Sequence, residues 1–186
     1  MRIISGKFKN KSINFVKNSA TRPLKDSVKE NIFNILEHSN LFNLKIEMSK
    51  VLDLYSGIGS FGIECISRGA KKVIFVEQDL VASNILKKNL TKLLITDYAI
   101  VIKNTIENFM HTTVKEKFNI FFLDPPFLDK EFIQNLNIIK KNKIYRNNHI
   151  VIIHRENKAD DNLKHIINII RVKQYGRSKI IFGVFN

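Results

Sequence analysis

From residue 51 onward, short apolar runs alternate with stretches whose apolar positions recur every three or four residues. The first pattern is that of buried strands and the second that of helices. Strands are predicted at 51–55, 72–77, 98–103, 119–124 and 149–154. Between them, helices are predicted up to Arg68, with Gly69 as its C-cap, and over 80–94, 106–114, 130–141 and 160–169. Two last strands, 170–175 and 179–185, lie close around Gly176 and pair as a hairpin. Strand–helix alternation of this length predicts a parallel sheet with helices on both faces. The closing antiparallel hairpin separates it from a fully parallel nucleotide-binding sheet.

Ahead of this lies a different texture. Ile3, Phe8, Ile13 and Phe15 alternate loosely with Lys7, Lys9, Lys11 and Ser12, as in a short basic β-hairpin turning near Lys9-Asn10. Thr21-Arg22-Pro23 punctuates the chain, and Val28, Ile32, Phe33, Ile35 and Leu36 then follow a helical period from Asp26. Residues 38–49 read as a connector. We expect one domain over 1–186, with a basic arm at 1–20 and an α/β core at 21–186. The start turns polar at once, unlike a signal peptide, and no run approaches the roughly 18 apolar residues of a membrane span. The single cysteine, Cys65, forms no internal disulfide, which points to the cytoplasm. Neither it nor the five histidines has metal-ligand spacing, so no metal is expected. The default state is a monomer.

The net charge of +14 adds a candidate partner. Residues 1–30 hold eight Lys or Arg against Asp26 and Glu30, and residues 171–186 hold four with no acid. A polyanion suits such ends.

The chemistry gathers at two places. The fourth strand ends abruptly in Asp124-Pro125-Pro126-Phe127. Each proline fixes its own φ at about −65° and removes a donor, and Pro126 holds Pro125 extended. A stiff turn therefore presents the Asp124 carboxylate, the Pro125 carbonyl and the Phe127 ring together. Two acceptors beside an aromatic face suit a flat base carrying an exocyclic amine. The first strand runs into Gly57, Gly59 and Gly62, with Glu77 placed 20 residues after Gly57, where an acid can bond ribose hydroxyls. That pattern fits NAD as well as S-adenosylmethionine. Asp53 favours the latter, because its carboxylate repels a pyrophosphate and attracts an ammonium and a sulfonium. If the first and fourth strands flank the reversal of strand order, both motifs face one crevice.

Val51-Leu52-Asp53-Leu54-Tyr55-Ser56-Gly57-Ile58-Gly59 resembles the first motif of class I methyltransferases, and Asp124-Pro125-Pro126-Phe127 the fourth motif of those acting on exocyclic amines. Met1-Arg2-Ile3-Ile4-Ser5-Gly6-Lys7, Thr21-Arg22-Pro23 with Asp26, Val28, Lys29, Glu30, Phe33 and Asn34, and Ser67-Arg68-Gly69-Ala70 narrow the likeness. Together they resemble, essentially end to end, the bacterial 16S rRNA guanine-N2 methyltransferases acting on guanine 966. The resemblance implies a Rossmann-like, seven-stranded, mostly parallel sheet with its last strand antiparallel. It implies S-adenosylmethionine bound by Asp53, Tyr55, Gly57, Gly59, Glu77, Gln78, Asn104 and Asp124. Asp124, Pro125, Pro126 and Phe127 are the expected catalytic residues. Arg2, Lys7, Lys9, Lys11 and Arg22 are expected to hold 16S rRNA or the assembled small subunit. The chain departs from the family at Leu24-Lys25-Asp26-Ser27, where Thr-x-Asp-Arg is frequent, and at Asn104, where an Asp is usual. Other readings are an adenine-N6 or other exocyclic-amine methyltransferase on DNA or another RNA, an NAD-dependent dehydrogenase, and a catalytically silent RNA-binding module.

Overall fold

A computed structural model describes residues 1–15, 24–39, 41–112 and 116–186. Helix α1 (Asp26–His38) precedes β1 (Lys50–Leu54), α2 (Ser60–Ser67), β2 (Lys72–Glu77) and α3 (Leu80–Leu93). There follow β3 (Ala99–Lys103), α4 (Ile106–His111), β4 (Phe118–Leu123), α5 (Glu131–Lys141), β5 (Tyr145–Glu156), β6 (Ile167–Tyr175) and β7 (Ser178–Phe185). They form one seven-stranded sheet in the order β3-β2-β1-β4-β5-β7-β6. The first five strands in that order pair in parallel, and β7 pairs antiparallel to β5 and β6. This is the expected fold, with its hairpin turning at Gly176-Arg177.

The central strands are buried on both faces because side chains alternate across the pleat. Val51, Phe75, Ile120, Phe122, Ile150 and Ile152 pack beneath α1, α2 and α3. Leu52, Leu54, Val76, Phe121, Val151 and Ile153 pack beneath α4 and α5. Stacked rings of Phe33, Phe61 and Phe122 join α1 and α2 to β4.

Two expectations change. The predicted hairpin at 1–16 is shortened, within the described residues, to an antiparallel bridge between Arg2 and Ser12, with Ile3 N–H donating to the Lys11 carbonyl at 3.0 Å, Asn10 N–H to the Ile3 carbonyl at 2.9 Å and Ile13 N–H to the Met1 carbonyl at 3.2 Å. The arm is held by α2 instead: Glu64 accepts the Ile4 and Ser5 amides at 2.8 and 2.9 Å, and Ser67 Oγ accepts the Phe8 amide at 3.0 Å. The helix predicted over 160–169 is absent, because Asp161 is taken by Arg155 and β6 begins at Ile167. Leu163, Ile166 and Ile167 have helical spacing but are buried by one turn and the start of a strand. Thr21, Arg22 and Pro23 lie outside the described residues.

Candidate active site

Strand order reverses at β1 and β4, since the chain leaves β1 for α2 on one face and β4 for α5 on the other. Register pairs Leu54 with Leu123, which sets Tyr55 and Asp124 side by side, with the Asp124 amide donating to the Leu54 carbonyl at 3.4 Å. A cavity of about 690 Å³ opens there. It is lined by Asp53, Tyr55, Gly57, Glu77, Gln78 and Asn104 on the glycine-loop side, and by Asp124, Pro125, Pro126 and Phe127 on the other. The two motifs, 67 residues apart in sequence between Gly57 and Asp124, thus share one wall-to-wall space.

The glycines divide their work. Gly57 lines the cavity, and a Cβ there would meet nothing within 4 Å. Gly59 does not line it. It takes φ 82° to start α2, and its Cβ would stand 2.3 Å from Leu86 Cδ1. Gly62 likewise faces Phe75 Cε1 at 2.3 Å. Gly59 thus makes room for α3, and Gly62 lets α2 lie close on β2. Glu77 pins the loop, one oxygen accepting the Gly57 amide at 2.7 Å and the other the Asp79 amide at 2.8 Å. Tyr55 leaves the strand at φ 58°, and burial pushes its hydroxyl well up; that hydroxyl accepts from Asn135 Nδ2 at 3.3 Å. The Asn104 side-chain carbonyl accepts the Thr105 amide at 2.9 Å.

Asp53 is 1% exposed. Its Oδ2 accepts the Gly62 amide at 3.0 Å, while Oδ1 is buried and has no partner among the described residues. Burial pushes the carboxyl well above the usual range; the Gly62 bond opposes this, and the charges of Asp124 and Glu77 add to it. An unmet buried oxygen costs free energy, and Oδ1 is the atom that a partner in this cavity would satisfy.

Across the cavity, Asp124 Oδ1 lies 2.8 Å from His154 Nδ1, and the Phe127 ring stands edge-on to the imidazole at 6.1 Å. Arg155 is wholly buried behind the turn. It donates to the carbonyls of Pro126 at 3.0 Å, Phe127 at 3.0 Å and Asp129 at 3.2 Å, and to the Asp161 carboxylate at 2.8 and 3.2 Å. Burial acts against the Asp161 charge, but Arg155 holds that carboxyl below its ordinary value. No donor among the described residues reaches the Pro125 carbonyl. In the sequence, His154-Arg155-Glu156 ends the fifth strand and so borders the crevice, but no residue of this stretch is among the expected site residues.

The basic residues fall elsewhere. Arg2, Lys7, Lys9 and Lys11 are exposed on the arm and none lines the cavity; the Lys7 amide bonds the Ser67 carbonyl at the carboxyl end of α2, whereas Lys29 Nζ joins the Arg2 carbonyl at 2.8 Å to the cavity-lining Ser60 Oγ at 3.2 Å. Arg22 is outside the described residues. At the cavity itself the exposed cations are Lys25 and Arg177, neither in an ion pair among the described residues, with Phe15 at 44% exposure beside them. Among the described residues no cluster of three metal-binding side chains occurs, and no helix is long and apolar enough to cross a membrane.

Comparison with known proteins places this geometry. The family model described as conserved hypothetical protein 95 matches residues 1–184. Ribosomal RNA small subunit methyltransferase D of Buchnera aphidicola subsp. Baizongia pistaciae is 33% identical over 185 residues, covering 100% of this chain and 91% of that protein. The Haemophilus influenzae protein of the same name is 34% identical over 158 residues, covering 84% and 79%. Among solved structures, the yhhF protein of Escherichia coli matches with a TM-score of 0.85 at 24% identity, over 100% of this chain and 98% of the other. The HI0767 protein of Haemophilus influenzae matches with a TM-score of 0.79 at 27% identity over the same shares. The chain therefore belongs to the conserved hypothetical protein 95 family, and its similarity to the Buchnera small-subunit methyltransferase D runs over its whole length.

Proposed function

We propose that this protein methylates the exocyclic N2 amine of a guanine in 16S rRNA, of the position-966 type, with S-adenosylmethionine as donor. The observation that carries the reading is the single cavity in which the Asp124–Phe127 turn faces Asp53 and Gly57 across the β1–β4 reversal. Two relatives named small-subunit rRNA methyltransferase D supply the substrate class. The cavity's volume lies within the range of about 300–1,000 Å³ usual for ligand sites.

The unmet Oδ1 of Asp53 fits a ligand that carries positive charge, and the open space above Gly57 lets such a ligand approach the backbone. Asp53, Tyr55, Gly57, Glu77, Gln78 and Asn104 are the residues that hold the donor in this reading. When bound, S-adenosylmethionine supplies a methyl group activated by its sulfonium. An arylamine is a poor nucleophile because its lone pair is delocalised into the ring. Asp124 and the Pro125 carbonyl each accept one N–H, which draws the nitrogen toward a tetrahedral shape and aims its lone pair into the cavity. Positioning supplies most of the acceleration. Asp124 takes the proton that the amine sheds. Phe127 stacks on the base, worth about 1–3 kcal/mol by analogy with other base–aromatic contacts. The guanine has to leave its stack to reach these groups, which favours an unpaired segment over a duplex. Lys25 and Arg177 at the mouth, and Arg2, Lys7, Lys9 and Lys11 on the arm, then meet flanking phosphates, a role also assigned to Arg22, which lies outside the described residues.

Tritiated methyl incorporation into 16S rRNA, assembled small subunits and DNA tests the reading, with the labelled nucleoside identified by mass. N2-methylguanosine in either RNA substrate is the expected product. Label only in DNA adenine, or no transfer to any of the three, refutes it.

A further inference from the structure

We infer that His154 and Arg155, consecutive residues of β5, are positioning residues that grip the Asp124–Phe127 turn from opposite faces of the sheet; the inference rests on the methyl-transfer role proposed for that turn. Alternation along β5 dictates the arrangement. Ile150 and Ile152 pack on the α1–α3 side and so does His154, whereas Val151 and Ile153 pack on the α4–α5 side with Arg155. One two-residue step therefore reaches the turn from both directions.

His154 fixes the carboxylate. Its Nε2 is buried with no partner among the described residues, so a proton there would be a buried donor without an acceptor. The proton belongs on Nδ1, which then donates to Asp124 Oδ1 at 2.8 Å. One oxygen is held and the side-chain torsion is set, leaving Oδ2 to accept the substrate amine. Phe127, edge-on to the same imidazole, is aligned by the contact that aligns the acid.

Arg155 fixes the backbone. Its guanidinium, stacked on Phe132 with 4.5 Å from Cζ to the ring centroid and neutralised by Asp161, spans the Pro126, Phe127 and Asp129 carbonyls. A planar fork of five donors suits this task, and a lysine does not replace it. The Pro125 carbonyl is left open by this set of bonds, and it is the one assigned to the substrate.

The test uses the full-length protein with His154→Leu, His154→Asn and Arg155→Lys. His154→Leu should lower kcat about 10- to 100-fold, since small misplacement of reacting groups carries penalties of that size, with the KM for RNA and donor binding within about twofold. His154→Asn, whose Nδ2 can donate from nearly the same place, should recover most of the loss. Independently of activity, nitrogen NMR of labelled histidine should place the His154 proton on Nδ1. Amide exchange at Asp129, whose N–H bonds the Pro126 carbonyl at 2.9 Å, should rise at least about tenfold in Arg155→Lys while β1 amides stay protected. Equal loss in the Leu and Asn variants, an unchanged kcat in His154→Leu, a proton on Nε2, or unaltered exchange at Asp129 overturns the inference. A parent protein that transfers no methyl to guanine refutes the functional reading instead, while the NMR and exchange results still decide the grip.

Discussion

Glu64→Ala removes the anchor of the basic arm. Glu64 is fully buried on α2, and its oxygens accept the Ile4 and Ser5 amides at 2.8 and 2.9 Å and Arg68 Nε at 3.0 Å. Lys29 Nζ, equally buried, lies 3.8 Å away. Burial depresses the Lys29 amine below its ordinary value, and Glu64 is the largest influence acting against that. Alanine leaves this cation with Asp26 at 3.6 Å as its remaining carboxylate, and leaves two arm amides without acceptors. Breaking a buried ion pair by deleting one partner costs about 3–5 kcal/mol. Each orphaned amide adds about 1–3 kcal/mol if it stays buried, and undocking the arm instead exposes Ile3, Phe8 and Ile13, so the ion-pair figure of about 3–5 kcal/mol is a lower bound. At about 2.1 cal/mol/K per residue, a chain of 186 residues unfolds with about 0.39 kcal/mol/K. The melting temperature should therefore fall by at least about 8–13 °C. Thermal unfolding followed by circular dichroism measures this, and limited trypsin digestion at Lys7, Lys9 and Lys11 reports the arm. A fall under about 3 °C with the arm still protected refutes the account of what holds it.

Three further outcomes are expected. Asp124→Ala should abolish methyl transfer and leave donor binding nearly intact, as calorimetric titration with S-adenosylmethionine would show; equal loss of both would make Asp124 a donor-binding or structural residue. A cationic ligand favours ionised Asp53, whose carboxyl burial pushes above its ordinary range, so binding to the protonated form releases a proton and affinity rises with pH, by up to about tenfold per unit, until the free carboxyl ionises. Asp53→Asn should flatten that rise and weaken binding; an identical slope in the variant would remove Asp53 from the cation site. Replacing Lys7, Lys9 and Lys11 together by Gln should reduce the salt slope of RNA binding by about 2, at roughly 0.7 per phosphate contact on single strands. The same measurement on Lys25→Gln with Arg177→Gln separates the arm from the cavity mouth, and an unchanged slope in either set takes those residues out of the interface.

Strand–helix alternation, the glycine loop and the acid–proline turn were all legible along the chain, because each depends on neighbours within a few residues. Apolar runs mark strands buried on both faces, and the two prolines of the Asp124 turn dictate their own backbone. Even the meeting of Asp53 with Asp124 followed once parallel strands were placed at a reversal. Local pattern failed where a distant partner held the stronger claim. Residues 160–169 carry helical spacing, yet Asp161 is held by Arg155 and the chain from Ile167 pairs with β7. Gly59 sits in a phosphate-loop pattern, but the Leu86 side chain decides its role. Nothing local marks Glu64 or Lys29 as buried, and the docking of the arm makes them a buried pair. His154 and Arg155 are two polar residues ending an apolar strand; their reach to the turn is set by the pairing of β5 with β4. Sequence alone determined what depends on backbone preference and periodicity. Tertiary structure decided which buried charges find partners, because a charge leaves water only where the folded chain brings its counter-charge or hydrogen-bond partners to it.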